Sequence, residues 1–180
     1  EKIDSMYAYL REQTEAGKQS YIICPLIDES EKRALKSVVS HYEELSAGPL
    51  ADLRTALLHG RLKADEKEQI MRRFKGGEID VLFSTTVIEV GVDVPNASLM
   101  VVENAERMGL AQLHQLRGRV GRGSVESTCV LLYQAPLSPI ARERLAVLRE
   151  TNDGFEVARR DLELRGPGEL LGTRQTGLMQ

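Results

Sequence analysis

The run Gln112-Leu113-His114-Gln115-Leu116-Arg117-Gly118-Arg119-Val120-Gly121-Arg122-Gly123 has the residue types best suited to chemistry. Four arginines fall between Arg107 and Gly123 with no acid among them, in a chain whose net charge is -3. The positive charge is therefore local. A guanidinium stays charged and offers a planar fork of donors that matches phosphate oxygens. Arg119 and Arg122 stand three apart, so a helical turn would aim them the same way. Gly118 and Gly121 would let another backbone or a phosphate come close. The alternative is a solvated basic helix end. The glycines argue against it, because they weaken a helix and need a reason to be there.

A second cluster runs from Ser84 to Pro95 and includes Thr85, Thr86, Glu89, Gly91 and Asp93. Hydroxyls at a strand end, with free amides nearby, suit phosphate or sugar-phosphate contacts, and Asp93 is a candidate acceptor for a ribose hydroxyl. Equally, Ser84 or Thr85 can cap a helix while Asp93 occupies a turn. A third feature is His59-Gly60, followed by Arg61 and Lys63. A lone histidine is more often structural than catalytic. No nucleophile triad or metal-ligand constellation is visible around His41, His59 or His114. Cys24 and Cys129 lack metal-ligand spacing and sit in apolar runs, so both read as buried reduced thiols and no metal site is expected.

The sequence has no Gly-x-x-x-x-Gly-Lys-Ser/Thr loop and no strand ending in paired acids that could hold Mg²⁺. Phosphate-seeking arginines without a nucleotide loop supply half a site. The other half must come from another domain or subunit.

The elements that position these residues follow from five apolar runs: 21–24, 55–58, 81–83, 99–102 and 128–133. They are rich in Ile, Val and Leu and do not alternate, the pattern of strands buried on both faces. Helical patterns lie at 1–16 (with Ile3, Met6, Tyr7 and Leu10 on one face), 31–45, 63–74 and 111–119, with Gly76-Gly77 as a stop. Alternating strand and helix predicts an α/β fold with a parallel sheet, whose chemistry lies beyond the C-terminal strand ends. After Tyr133 the character changes. Ser138-Pro139 opens a helix running to about Glu150, and Asp153 with Glu156 can cap a second that ends before Gly166-Pro167-Gly168. A Gly-rich extended tail follows this hairpin. Two units are expected, 1–136 and 137–180.

Aromatic residues make up 4% of the 180 residues and Trp is absent, so the core must be aliphatic. No apolar stretch approaches membrane-spanning length, and no signal peptide opens the chain. The chain starts inside a helical pattern, as a piece of a longer protein would. A cytoplasmic protein with no membrane partner fits these features.

The three clusters, in this order, resemble the C-terminal RecA-like domain of superfamily 2 helicases. The run 115–122 is similar to motif VI, the run 84–95 to motif V, and 21–25 falls where motif IV lies. Within that superfamily the segment Cys24-Pro25-Leu26-Ile27-Asp28-Glu29-Ser30-Glu31 and the tail 161–177 resemble the RecG family of ATP-dependent DNA helicases. The tail is similar to a translocation motif shared with Mfd, the transcription-repair coupling translocase, whose tail usually carries acids where this chain has Thr173 and Arg174.

The resemblance implies a RecA-like motor half that remodels branched DNA, such as stalled forks and Holliday junctions, in a bacterial, nucleoid-associated protein. ATP and Mg²⁺ would be held mainly by a preceding RecA-like domain, and a wedge domain would contact the junction. Arg119 and Arg122 would be arginine fingers. Gln115, Gly91 and Asp93 would contact nucleotide. His59, Gly60, Thr85 and Thr86 would contact the DNA backbone. Arg144, Arg165 and Gln175 would couple the motor to translocation. Arg117 and Glu89 receive no role. The alternatives are the equivalent Mfd domain and a non-catalytic DNA- or partner-binding module with the same fold. The chain alone is expected to be inactive as an ATPase.

Overall fold

A computed structural model of the chain describes residues 2–85, 94–118, 120, 127–134, 136–151 and 154–165. The element order is α1 (Lys2–Glu15), β1 (Gln19–Ile23), α2 (Glu31–Ala47), β2 (Thr55–Leu58), α3 (Ala64–Lys75), β3 (Val81–Ser84), β4 (Ala97–Val102), a 3₁₀ turn (Ala105–Arg107), α4 (Leu110–Arg117), β5 (Thr128–Leu131), α5 (Pro139–Glu150) and α6 (Gly154–Arg165). The five strands form one parallel sheet in the order β2-β3-β1-β4-β5. This is the RecA-like α/β architecture the sequence predicts.

Side chains alternate across a strand, so each strand feeds two cores. Tyr21, Ile23, Leu82, Met100 and Val102 face one layer. There they meet Met71 and Phe74 of α3 and the Leu110–Leu113–Leu116 stripe of α4. Ile22, Val81, Phe83, Leu99 and Val101 face the other layer, against Met6 and Leu10 of α1 and Val38 and Leu45 of α2. Both faces are covered along β1, β3 and β4, which is why these strands read as continuous apolar runs, whereas the edge strands β2 and β5 are only partly buried, contrary to expectation. The α5–α6 hairpin adds Val147, Leu148 and Val157 to the first core and packs on α4.

Local signals set the helix ends. The Ser30 hydroxyl accepts from Arg33 N at 3.3 Å to open α2, and the Ser138 hydroxyl accepts from Ala141 N at 3.1 Å, with Pro139 in the first turn of α5. Gly77, at φ +83°, ends the segment after α3 in a conformation that favours glycine. Capping of α6 by Asp153 lies outside the described residues.

Three further expectations need correction. Ile3 does not join Met6 and Leu10 in the core; it is 52% exposed. Cys129 is partly exposed, whereas Cys24 is buried; both are free thiols. Gly118 is an ordinary helix C-cap at φ -72°, where a Cβ would meet Gln115 O at 3.4 Å. No close approach among the described residues requires glycine there. Because α4 ends at Arg117, the helical-turn argument for Arg119 and Arg122 concerns positions outside the described residues.

Candidate functional site

All strands are parallel, so their C-terminal ends share one edge. Backbone bonds extend the ladder past the strands and fix the residues that follow them. Cys24 N donates to Ser84 O (2.8 Å), Thr85 N to Leu58 O (3.2 Å), Glu103 N to Ile23 O (2.9 Å) and Leu132 N to Val102 O (2.8 Å). The ends of β2 and β3 are neighbours, which brings His59-Gly60 beside Thr85. His59 Nδ1 accepts from Arg61 N at 3.2 Å, which organises the turn. In the neutral ring Nε2 then carries the proton and can donate. The histidine is thus structural through one nitrogen and available through the other.

Thr85 is buried but borders a cavity of about 390 Å³ that it shares with Pro25, Arg107, Met108 and Gln112. The Arg107 side chain is 62% exposed, and Glu106 is its ion-pair partner at 3.9 Å. Gln112 Oε1 accepts from Gly109 N at 3.2 Å and caps α4. Gln115 lies on the exposed side of α4, opposite the buried leucine stripe. These donors are neutral or cationic. The cationic Arg107 suits an anion, and among the described residues no carboxylate of the kind that usually holds Mg²⁺ lines the cavity.

A second cavity, of about 590 Å³, opens where β1 and β4 end. The chain leaves β1 toward α2 on one face and leaves β4 toward α4 on the other. Adjacent strands with diverging connections leave a crevice at their carboxyl ends, the usual place for a ligand in open α/β sheets. Cys24, His41 and Glu103 meet there. His41 Nε2 lies 2.7 and 2.8 Å from the two Glu103 oxygens, and the Cys24 thiol donates to Glu103 Oε2 at 3.2 Å. The hydrogen bond to Glu103 raises the His41 pKa above its ordinary value. Burial and then Glu103 push the Cys24 thiol well up. The same two influences, burial first, push Tyr7 up to about 12. Cysteine spacing gave no hint of this cluster, because the fold assembles it from two strand ends and the facing side of α2.

Residues 1–124 match the family model for the helicase conserved C-terminal domain. The chain belongs to that family. Residues 151–180 match the model for domain 3, C-terminal, of the ATP-dependent DNA helicase RecG, which assigns the chain to the RecG branch. It is 57% identical over 171 residues to the ATP-dependent DNA helicase RecG of Acidithiobacillus ferridurans, covering 95% of this chain and 25% of that protein. It is 62% identical over 161 residues to that of Escherichia coli K12, covering 89% of this chain and 23% of that protein. The chain thus spans about a quarter of the curated relatives it matches. Among solved structures, a RecG bound to a three-way DNA junction superposes with a TM-score of 0.78 at 47% identity, covering 93% of this chain and 21% of that one. The C-terminal domain of the DEAD-box protein Dbp5, at 20% identity and a TM-score of 0.55 over 81% of this chain and 82% of that one, shares the fold.

Of the residues expected to act, this helicase domain places Gln115, His59, Gly60, Thr85 and Arg144 among its described residues. Thr86, Gly91, Asp93, Arg119, Arg122 and Gln175 lie outside them, as does the Arg165 side chain. Arg144 is half-buried on α5, and its buried Nε meets no hydrogen-bond partner among the described residues. Arg117 gains a definite place. Its guanidinium donates to Leu148 O at 2.5 Å and to His114 Nδ1 at 2.8 Å, tying the end of α4 to the last turn of α5. Arg159 pairs with Glu156 and Glu163, and Arg160 with Glu150, as expected of surface arginines.

Proposed function

We propose that the chain is the second motor half of an ATP-dependent DNA helicase or translocase that remodels branched DNA, such as stalled forks and Holliday junctions. The observation that carries this reading is the likeness, along 93% of the chain, to a RecG bound to a three-way DNA junction. The edge geometry is consistent with it. Thr85 and His59 sit side by side at the ends of β3 and β2, with Thr85 lining a cavity that opens there and His59 partly exposed beside it, where a sugar-phosphate backbone would pass; Gly60 and Thr86 follow them in the chain. ATP would bind between this edge and a preceding RecA-like domain, with Gln115, Gly91 and Asp93 on this side. The phosphate loop and Mg²⁺ ligands would belong to that other domain, because the donors here suit anions.

Arg119 and Arg122 would reach across the cleft as arginine fingers and stabilise charge on the transferring phosphoryl group. Residues 137–180 would convert cleft motion into movement along the duplex through Arg144, Arg165 and Gln175, against a wedge domain of the same protein. The protein would work in the bacterial cytoplasm, at the nucleoid.

The test compares ATP turnover in the full-length protein and in this chain, with and without three-way junction DNA. Junction-stimulated turnover is expected in the former and none in the latter. Turnover by the purified chain would overturn the half-site reading. A full-length protein that ignores junctions would overturn the substrate.

A further inference from the structure

We propose that Cys24, His41 and Glu103 form a binding site for a borderline-soft divalent transition-metal cation of the Zn²⁺ class, separate from the motor's nucleotide chemistry. One thiol, one imidazole and one carboxylate converge, each offering one ligand atom, with all three atoms within 4.8 Å of one another. This is the donor set that zinc selects and that Mg²⁺ and Ca²⁺ do not. Three protein ligands beside an open space is also the arrangement in which zinc keeps an exchangeable fourth position. Here the open space is the cavity at the β1/β4 crevice, which these three residues line.

The existing distances fit with little movement. Zinc bonds of about 2.0–2.3 Å in tetrahedral geometry separate ligand atoms by roughly 3.4–3.6 Å. The two pairs that share Glu103 now stand 2.7 and 3.2 Å apart and need open by only some tenths of an ångström, while the Cys24 and His41 atoms already lie within 4.8 Å of each other. Binding would release the thiol proton to solvent and displace the Nε2 proton that His41 now directs at Glu103, leaving a neutral ring with its proton on Nδ1, and the ion would take the bridging place those protons now hold. Access is unequal but sufficient. His41 is 39% exposed and Glu103 15%, so the ion would enter from the cavity and meet the buried sulfur last. Cys24 follows β1, Glu103 follows β4, and His41 lies on α2. A bound ion would therefore pin α2 to the two strand ends flanking the crevice.

The experiment titrates chelator-stripped chain with Zn²⁺ in excess Mg²⁺, and with Co²⁺ as an optical reporter. Expected are one ion per chain, a raised melting temperature and a thiolate-to-cobalt charge-transfer band. Losing an outer hydrogen-bond partner of a metal site costs about 10–100-fold in affinity, so Cys24→Ser and His41→Ala, which remove ligands, should each lose more than that. Both should abolish the cobalt band or strongly weaken it. Binding that survives Cys24→Ser but falls with His59→Ala or His114→Ala overturns the site, as does displacement by Mg²⁺. A readout without variants guards against misfolding. In the unsubstituted chain, Zn²⁺ should slow alkylation of Cys24 and leave Cys129 unchanged. Equal rates with and without zinc, or equal protection of both cysteines, would overturn the proposal.

Discussion

The two edges of the sheet are built differently. At the N-terminal edge, polar groups use one another up. Gln19 Nε2 donates to Phe74 O (2.5 Å) and Ile79 O (2.7 Å), and its Oε1 accepts from Asn96. Arg54 holds Asp80 through its side chain and its backbone amide, and also bonds Gly77 O. Ser98 donates to Gln13 at 2.7 Å, and Arg11 bridges Asp52 and Pro49 O. At the C-terminal edge, cavities of about 590 and 390 Å³ open, and the exposed Arg107 side chain borders the second. A closed polar network stabilises the fold, whereas donors left facing solvent are available to a ligand. Substitutions at the two edges should therefore separate turnover from stability.

The largest separation is expected at an arginine proposed to complete the ATP site. In the full-length protein, Arg122→Ala should lower kcat for ATP by about 10³-fold or more, the usual value of an arginine finger. ATP affinity and melting temperature should stay close to those of the parent. Turnover within a few-fold of the parent would remove Arg122 from the finger role. A large loss of melting temperature would mean that this site is structural too, and the contrast would fail.

The reverse is expected at the closed edge. Gln19→Leu keeps the bulk but removes the side-chain donor to Ile79 O and one of the two donors to Phe74 O, which keeps Gly77 N. It should destabilise the chain by about 1–3 kcal/mol, the cost of leaving a buried acceptor without its donor. ATP turnover per folded full-length molecule should not change. Chemical denaturation beside an ATPase assay separates the two, and a catalytic loss without destabilisation would show that the edges are coupled.

Much of this division was legible in the sequence, for a physical reason. All five strands lie in uninterrupted apolar runs, including the partly buried edge strands β2 and β5, so the sheet and the edge beyond it could be placed from residue type alone. Caps are equally local, and Ser138-Pro139 announced α5. Contacts between distant segments were not legible. Cys24 and Glu103 are 79 residues apart and meet only because β1 and β4 are neighbours. Arg117 reaches Leu148 O across 31 residues and does so only after the hairpin folds onto α4. Ile3 misled because its helical spacing is right, yet that end of α1 overhangs the cavity mouth rather than the sheet.

The smallest expected effect tests the closed edge by pH. Burial tends to raise the Asp80 pKa, but the hydrogen bonds from the Arg54 side chain and backbone outweigh it and hold the carboxyl below its ordinary value. A carboxyl depressed in the folded state stabilises the fold above its unfolded pKa of about 4. That contribution is lost as pH falls through the depressed folded value. Asp80→Asn should therefore be less stable than the parent at neutral pH, and the gap between their denaturation midpoints should close progressively in acid below about pH 4. A gap that is constant with pH would assign the Asp80 contribution to hydrogen-bond shape rather than to charge. The closed edge would then be held by neutral geometry throughout, and charge in this domain would matter only where the strands open toward their ligands.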